Sequence, residues 1–150
     1  MCDYSLHNVA STPAKVGDQL VTTSFALTGT RGFAAIGQPG VVVCIPPGAE
    51  IAFDKDVEID RALGLLPRKR IASRVARFRQ INMDQPYAYH DALEFPDGLV
   101  VNLTHLANGQ RATVLQLPAS ARSQAASNET GAPAQGTNAP PMPAVTGSLF

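Results

Sequence analysis

Tryptophan is absent from this 150-residue chain, cysteine occurs twice and histidine three times. Two cysteines cannot build the disulfide framework that small secreted domains use to supplement a small core. Their scarcity points to a cytoplasmic chain with both thiols, Cys2 and Cys44, reduced. No apolar run approaches the roughly 18 residues of a membrane-spanning helix, so no membrane span is expected. The first residues include Asp3 and hold neither a basic stretch nor a long apolar one, so they do not read as a secretory signal. Charge of one sign is missing as well: 12 Lys and Arg face 12 Asp and Glu. That balance gives no argument for nucleic acid or an acidic surface as partner. The sequence contains no G-x-x-x-x-G-K-[ST], no G-x-G-x-x-G and no G-x-S-x-G elbow, so no nucleotide cofactor is expected.

Composition divides the chain in two. Residues 119–150 are Ala, Ser, Asn, Gly and Pro with one Arg and one Glu, without periodicity of 2 or 3.6. Such a segment buries too little apolar surface to offset the entropy of ordering, and reads as a disordered, low-complexity tail. Residues 1–118 are then one compact β-rich domain, long enough for a modest core of its own. Removing Arg122 and Glu129 with the tail leaves 11 basic against 11 acidic residues in it.

Within the domain, alternation is clearest in "HDALEFPDGLVVNLTHLANGQRATVLQLP". Pro96-Asp97-Gly98 and Asn108-Gly109 are turn signals, so strands are expected at about 90–95, 99–106 and 111–117, as a meander. The first turn pairs Phe95 with Leu99, Leu93 with Val101 and Asp91 with Leu103. The second pairs Leu103 with Val114 and Val101 with Gln116. One face is then apolar, with Leu93, Phe95, Val101, Leu103 and Val114, and the other holds His90, Glu94, Asn102, Thr104 and Thr113. Upstream, "AKVGDQLVTTSFAL" and "RGFAAIGQPGVVVCIPPGAEIAF" are rich in β-branched and aromatic residues between Gly and Pro breaks. The continuous run "GVVVCI" suits a strand buried on both faces. "DKDVEIDRALGLL" opens with acidic residues, has a broad apolar side and stops at Pro67, which suits a helix. "RIASRVARFRQIN" fits either periodicity, and its β-branched residues favour a strand. The expected fold is mainly β: a small antiparallel barrel-like or meander domain with one short helix and a disordered C-terminal tail.

The scarce thiols and imidazoles supply the first functional reading. Cys2, His7, Cys44 and His90 make the thiolate and imidazole set that zinc or copper takes in tetrahedral or trigonal sites. Cys2 and His7 are five apart, so they share an ion only where the segment turns. "YAYHDALE" gathers Tyr87, Tyr89, His90, Asp91 and Glu94, the densest group of proton-active side chains. His105 falls on the apolar face at a strand end, where a histidine satisfied by a backbone carbonyl is the commoner case.

The second reading is a non-enzymatic interaction module. "PRKRIASRVARFR" holds Arg68, Arg70, Arg74, Arg77 and Arg79, an anion or partner surface for protein or nucleic acid. Only Phe78 interleaves as a stacking platform, and nearby carboxylates, those of the acidic "DKDVEID" first, pair with the arginines and cancel their charge, so a protein partner fits better than nucleic acid. Strand alternation would place Arg77 and Arg79 on one face and Arg74 on the other.

A third reading comes from the opening Met1-Cys2, which over two residues resembles the N-terminal-nucleophile amidotransferases and acylases. The resemblance implies removal of Met1 and a Cys2 thiol working beside its own α-amine, as in a cysteine-nucleophile hydrolase. That family's four-layer αββα fold needs more residues than 1–118 supply.

Overall fold

Val75 to Gln80 alternates outward and inward positions: Ala76 and Phe78 are buried, while Arg77 and Arg79 are exposed. A period of two with apolar residues on one side is what a half-buried strand requires. The same logic runs through a computed structural model that describes residues 9–25, 30–61 and 66–123. Its strands are β1 (Ser11–Pro13), β2 (Gln19–Ser24), β3 (Arg31–Ala35), β4 (Val42–Cys44), β5 (Glu50–Phe53), β6 (Val57–Ile59), β7 (Lys69–Ile71), β8 (Val75–Gln80), β9 (Asp91–Glu94), β10 (Val100–Asn102) and β11 (Arg111–Gln116). Nine of them form one sheet, in the order β1-β4-β3-β2-β11-β5-β8-β9-β10. Only β1 and β4 run parallel within it. The sheet curls into a half-barrel whose end strands, β1 and β10, do not pair with each other. The separate antiparallel pair β6–β7 completes the fold.

The concave side holds the main core. Phe33, Phe53, Phe78 and Phe95 lie there with Leu20, Ile51, Leu93 and Val114, all nearly inaccessible to water. Val57 and Ile71 from the β6–β7 pair, with Leu103, Leu106 and Leu117, join the same cluster and close the open side of the curl. Each such side chain contributes about 1.5–3 kcal/mol on burial, so this cluster is the principal stabilising feature. A second, smaller cluster of Phe25, Ala34 and Val42 lies on the convex face, where strand alternation turns Ala34 and Val42 away from Phe33 and Val43. The "GVVVCI" run is therefore buried on both faces, as its continuous apolarity implied.

The mainly β, barrel-like architecture agrees with the sequence, and so does the first turn of the meander. Leu93 pairs with Val101, Phe95 N–H donates to Leu99 O at 2.8 Å, and Gly98 takes a φ of +86°. The second pairing differs. Asn102 accepts from the Thr104 N–H at 3.0 Å and from its hydroxyl at 2.9 Å, and Leu103–His105 winds into a 3₁₀ turn. The chain thus leaves the sheet after Asn102, and β11 returns between β2 and β5 rather than beside β10. Asn108-Gly109 still turns the chain, but Gly109 N–H donates to Thr22 O at 2.7 Å, across to β2. Leu103 and Val114 share the core without sharing a ladder.

One further expectation is corrected. The helix over 54–66 is not formed at its start, because Val57 and Ile59 alternate with Glu58 and pair as β6 with β7. There burial of Val57 and the cross-strand partners of Glu58 outweigh the helical pattern. Residues 62–65 of that stretch lie outside the described residues. At the other end, residues 119–123 form one short helix, and Ala121 packs against the core. Residues 124–150 lie outside the described residues. No helix among the described residues is long and apolar enough to cross a membrane.

Candidate interaction surface

The arginines of the 68–79 segment are divided between the two sheets and the turn that joins them, and each meets a carboxylate from on or beside a neighbouring strand. On the β6–β7 pair, Arg70 lies 3.0 Å from Glu58, and Arg68 lies 3.5 Å from Glu58 and 3.0 Å from Asp60. Arg74 sits 3.4 Å from Asp56 at the junction. On the convex face of the large sheet, Arg77 reaches Glu50 at 3.2 Å and Arg79 pairs with Glu94. Register explains the last group. Glu50 is opposite Arg77, and Arg77 is opposite Glu94, so β5, β8 and β9 bring alternating charges into one row. Gln116 on β11 extends the row by donating to Glu50 at 2.7 Å.

These contacts set the protonation states. Hydrogen bonds from Gln116 and then Arg77 hold the Glu50 carboxyl below the ordinary carboxylate range. At Asp60 burial pushes the carboxyl up, but the hydrogen bond and charge of Arg31, with those of Arg68, outweigh it and hold it low. Arg31 stands on β3, 2.6 Å from Asp60, and also donates to the Leu106 carbonyl. The pairing of Arg31 with Asp60 was not legible in the sequence, since only the fold brings positions 31 and 60 together. Alternation of Glu50 with Ile51 and Phe53 marked Glu50 as outward-facing, but not which strand it would face.

Beside the charged row the convex face dips into a hollow of about 320 Å³. Val75 and Pro96 supply apolar surface, Gly98 leaves its side open, and Glu50, Arg77 and Glu94 form a polar border. Edge strand β10 lies next to it and exposes Val100, with Leu99 just before the strand. Phe78, the expected stacking platform, is instead buried on the opposite side of β8.

The metal candidates are placed otherwise. Cys2 and His7 lie outside the described residues. The expectation of reduced thiols is corrected at Cys44, which is disulfide-bonded. In that state its sulfur has no thiolate to offer a metal. His90 Nδ1 lies 3.0 Å from the Ile81 carbonyl, which makes Nδ1 the protonated nitrogen in that contact. His105 is exposed at the end of the 3₁₀ turn. Among the described residues no group of three or more His, Cys, Asp or Glu is gathered to hold a metal ion. No known protein family, curated protein or solved structure matches this chain.

Proposed function

We propose that this domain is a non-enzymatic interaction module that offers the convex face over β5, β8 and β9 to a protein partner. The observation that carries the reading is the row Gln116, Glu50, Arg77, Glu94 with Arg79, whose charges alternate and nearly cancel beside an apolar hollow. Nucleic acid would favour uncompensated cations that displace counterions from phosphates, whereas every arginine here already holds a carboxylate. An alternating pattern instead rewards a partner surface with the complementary pattern, and penalises one in the wrong register. Apolar anchors in a hollow with a polar rim are also the common anatomy of protein–protein contacts.

A photo-crosslinking residue placed at Val75 tests this in the source cells, with the same residue at Val16 as control. The expected result is a discrete adduct at Val75 that Glu94→Arg abolishes and the Val16 probe lacks. Equal labelling at both positions, no adduct, or tight single-stranded oligonucleotide binding that collapses with salt would remove the reading. The competing proposal is a zinc or copper site at Cys2, His7, Cys44 and His90, which needs Cys44 as a thiolate. Elemental analysis before and after reduction separates them: one metal per chain appearing on reduction supports the ion, and its absence in both states opposes it.

A further inference from the structure

Asn108-Gly109 is the only Asn-Gly pair among the six asparagines of the chain. It serves the fold as a turn, but the pair has a chemistry of its own. The main-chain nitrogen after an asparagine can attack the side-chain carbonyl carbon, and glycine, with no side chain, hinders that attack least. Both residues are exposed, and nothing lies within 4 Å of where a Cβ on Gly109 would stand, so the pair is open to water. The fold nevertheless engages both reacting groups. Gly109 N–H donates to the Thr22 carbonyl at 2.7 Å, and Asn108 Nδ2 donates to Ser24 Oγ at 3.0 Å. Both acceptors belong to β2, so one strand holds the nucleophile and the group it must attack. Attack requires the Gly109 nitrogen to release its proton and turn to Asn108 Cγ, which costs both hydrogen bonds. Thr22 is itself fixed, since its N–H donates to the Gln110 carbonyl at 2.9 Å and its hydroxyl accepts from Gln110 N–H at 2.9 Å.

We propose that Asn108 is a deamidation site gated by the fold, inert while β11 lies on β2 and reactive when the two strands part. In the step, the Gly109 nitrogen bonds to Asn108 Cγ and the Cγ–Nδ2 bond breaks. The proton lost from the Gly109 nitrogen is balanced by the one Nδ2 takes up as it leaves as ammonia. Water then adds to one carbonyl of the resulting cyclic imide and opens it, giving aspartate or isoaspartate. In isoaspartate the main chain runs through the side-chain methylene, one carbon longer than before. Ala107 and Gln110 flank the pair and are both pinned, Ala107 N–H by the Glu58 carbonyl at 3.0 Å and Gln110 by Thr22. The extra carbon between them displaces Gly109 and Gln110 from their partners on β2. A copy that has opened and reacted therefore does not close as it did, and the modification is an irreversible record of that opening. The site uses other residues than the charged row on β5, β8 and β9 and does not depend on it.

Peptide mapping of the full chain, incubated at mildly alkaline pH with and without unfolding urea, tests the gate. Asn108 is expected to convert at least tenfold faster in urea than in the native chain, with Asn82 and Asn102 intact in both. Equal rates in the two conditions, or no conversion in urea, would overturn the proposal. Ser24→Ala removes the bond on Asn108 Nδ2 without touching the backbone, and is expected to raise the native rate severalfold. An unchanged rate would overturn the part given to Ser24. Hydrogen exchange on the purified isoaspartate form tests the consequence. Amides of Gly109, Gln110 and β2 are expected to exchange at least tenfold faster than in the unmodified chain, with those of β8 and β9 unchanged. Asn108→Asp carries the new charge on a main chain of ordinary length, and is expected to keep the unmodified pattern. The same loss of protection in Asn108→Asp, or none in the isoaspartate form, would overturn the role of the lengthened chain.

Discussion

Arg31 and Asp60 meet at 2.6 Å across the gap between the nine-stranded sheet and the β6–β7 pair. Asp60 is held there by Arg68 as well, at 3.0 Å, and its own N–H donates to the His105 carbonyl at 2.8 Å. Arg31 also donates to the Leu106 carbonyl, so one guanidinium ties β3 to both pieces that close the curl. Arg31→Ala leaves the half-buried Asp60 with fewer donors and the Leu106 carbonyl without this one. We expect a loss of about 1–3 kcal/mol. Urea unfolding followed by circular dichroism reads it as a lower midpoint, and an unchanged midpoint would show the contact to be energetically idle.

Acid should weaken the fold through the same residues. Asp60 and Glu50 both have carboxyls held below their ordinary values, so the unfolded chain binds protons more readily than the native one. Their contribution is present at neutral pH and above the unfolded values near 4. It is lost as pH falls through the lowered native values. Melting temperatures measured from about pH 6 down to about pH 2 should fall with acid, and Asp60→Asn should flatten part of that slope. A variant with the same slope as wild type would contradict the assignment.

Gln110 is a polar knot between β11 and the β6–β7 pair. Its amide nitrogen donates to Glu58 O and Ala107 O, each at 2.9 Å, while its side-chain oxygen accepts from Glu58 N–H at 2.7 Å. Thr22, 2% exposed, donates to the same Ala107 carbonyl at 2.7 Å and accepts from the Gln110 N–H at 2.9 Å. Gln110→Ala leaves half-buried backbone groups to find new partners, at a cost of about 1–3 kcal/mol. Thr22→Val, which keeps the shape and removes the hydroxyl, should cost a similar amount. Amide exchange should locate the loss at Glu58 and Ala107, and protection retained there would refute the knot.

Neighbouring positions on β8 should respond very differently. Phe78 is 2% exposed in the main core, so Phe78→Ala should cost about 3–5 kcal/mol. The side chain of Arg79, one residue on, is 50% exposed and pairs at the surface with Glu94. Arg79→Ala should change stability by less than about 1 kcal/mol. Comparable losses at the two sites would mean that the alternation of this strand has been misassigned.

Much of the fold was legible because it depends on local pattern. The inward set of Leu93, Phe95, Val101, Leu103 and Val114 follows from a period of two, and all five are buried in one core. The outward pair Arg77 and Arg79 follows from the same rule. The strand choice for the Arg-rich segment succeeded because β-branched residues flanked it, whereas Val57 and Ile59 were concealed behind acidic neighbours that suggested a helix. Of the candidate site, the arginines were visible and so was the acidic stretch "DKDVEID", whose Asp56, Glu58 and Asp60 pair with Arg68, Arg70 and Arg74. Glu50 and Glu94 become partners of Arg77 and Arg79 only through strand order.

The sequence by itself determined which residues point inward, where the chain turns, and that Pro96-Asp97-Gly98 closes a hairpin, because each is settled within a few residues by sterics and hydrophobic periodicity. Tertiary structure alone decided that β11 leaves its sequence neighbour β10 to lie between β2 and β5. Both arrangements bury Leu103 and Val114, so the local pattern cannot choose between them. The choice fell to the Asn102-capped 3₁₀ turn and to the contacts of Thr22 and Gln110, 88 positions apart. Tertiary structure also decided that Glu50 and Glu94 would flank Arg77, because a side chain's cross-strand neighbours are set by whichever strand lies beside it.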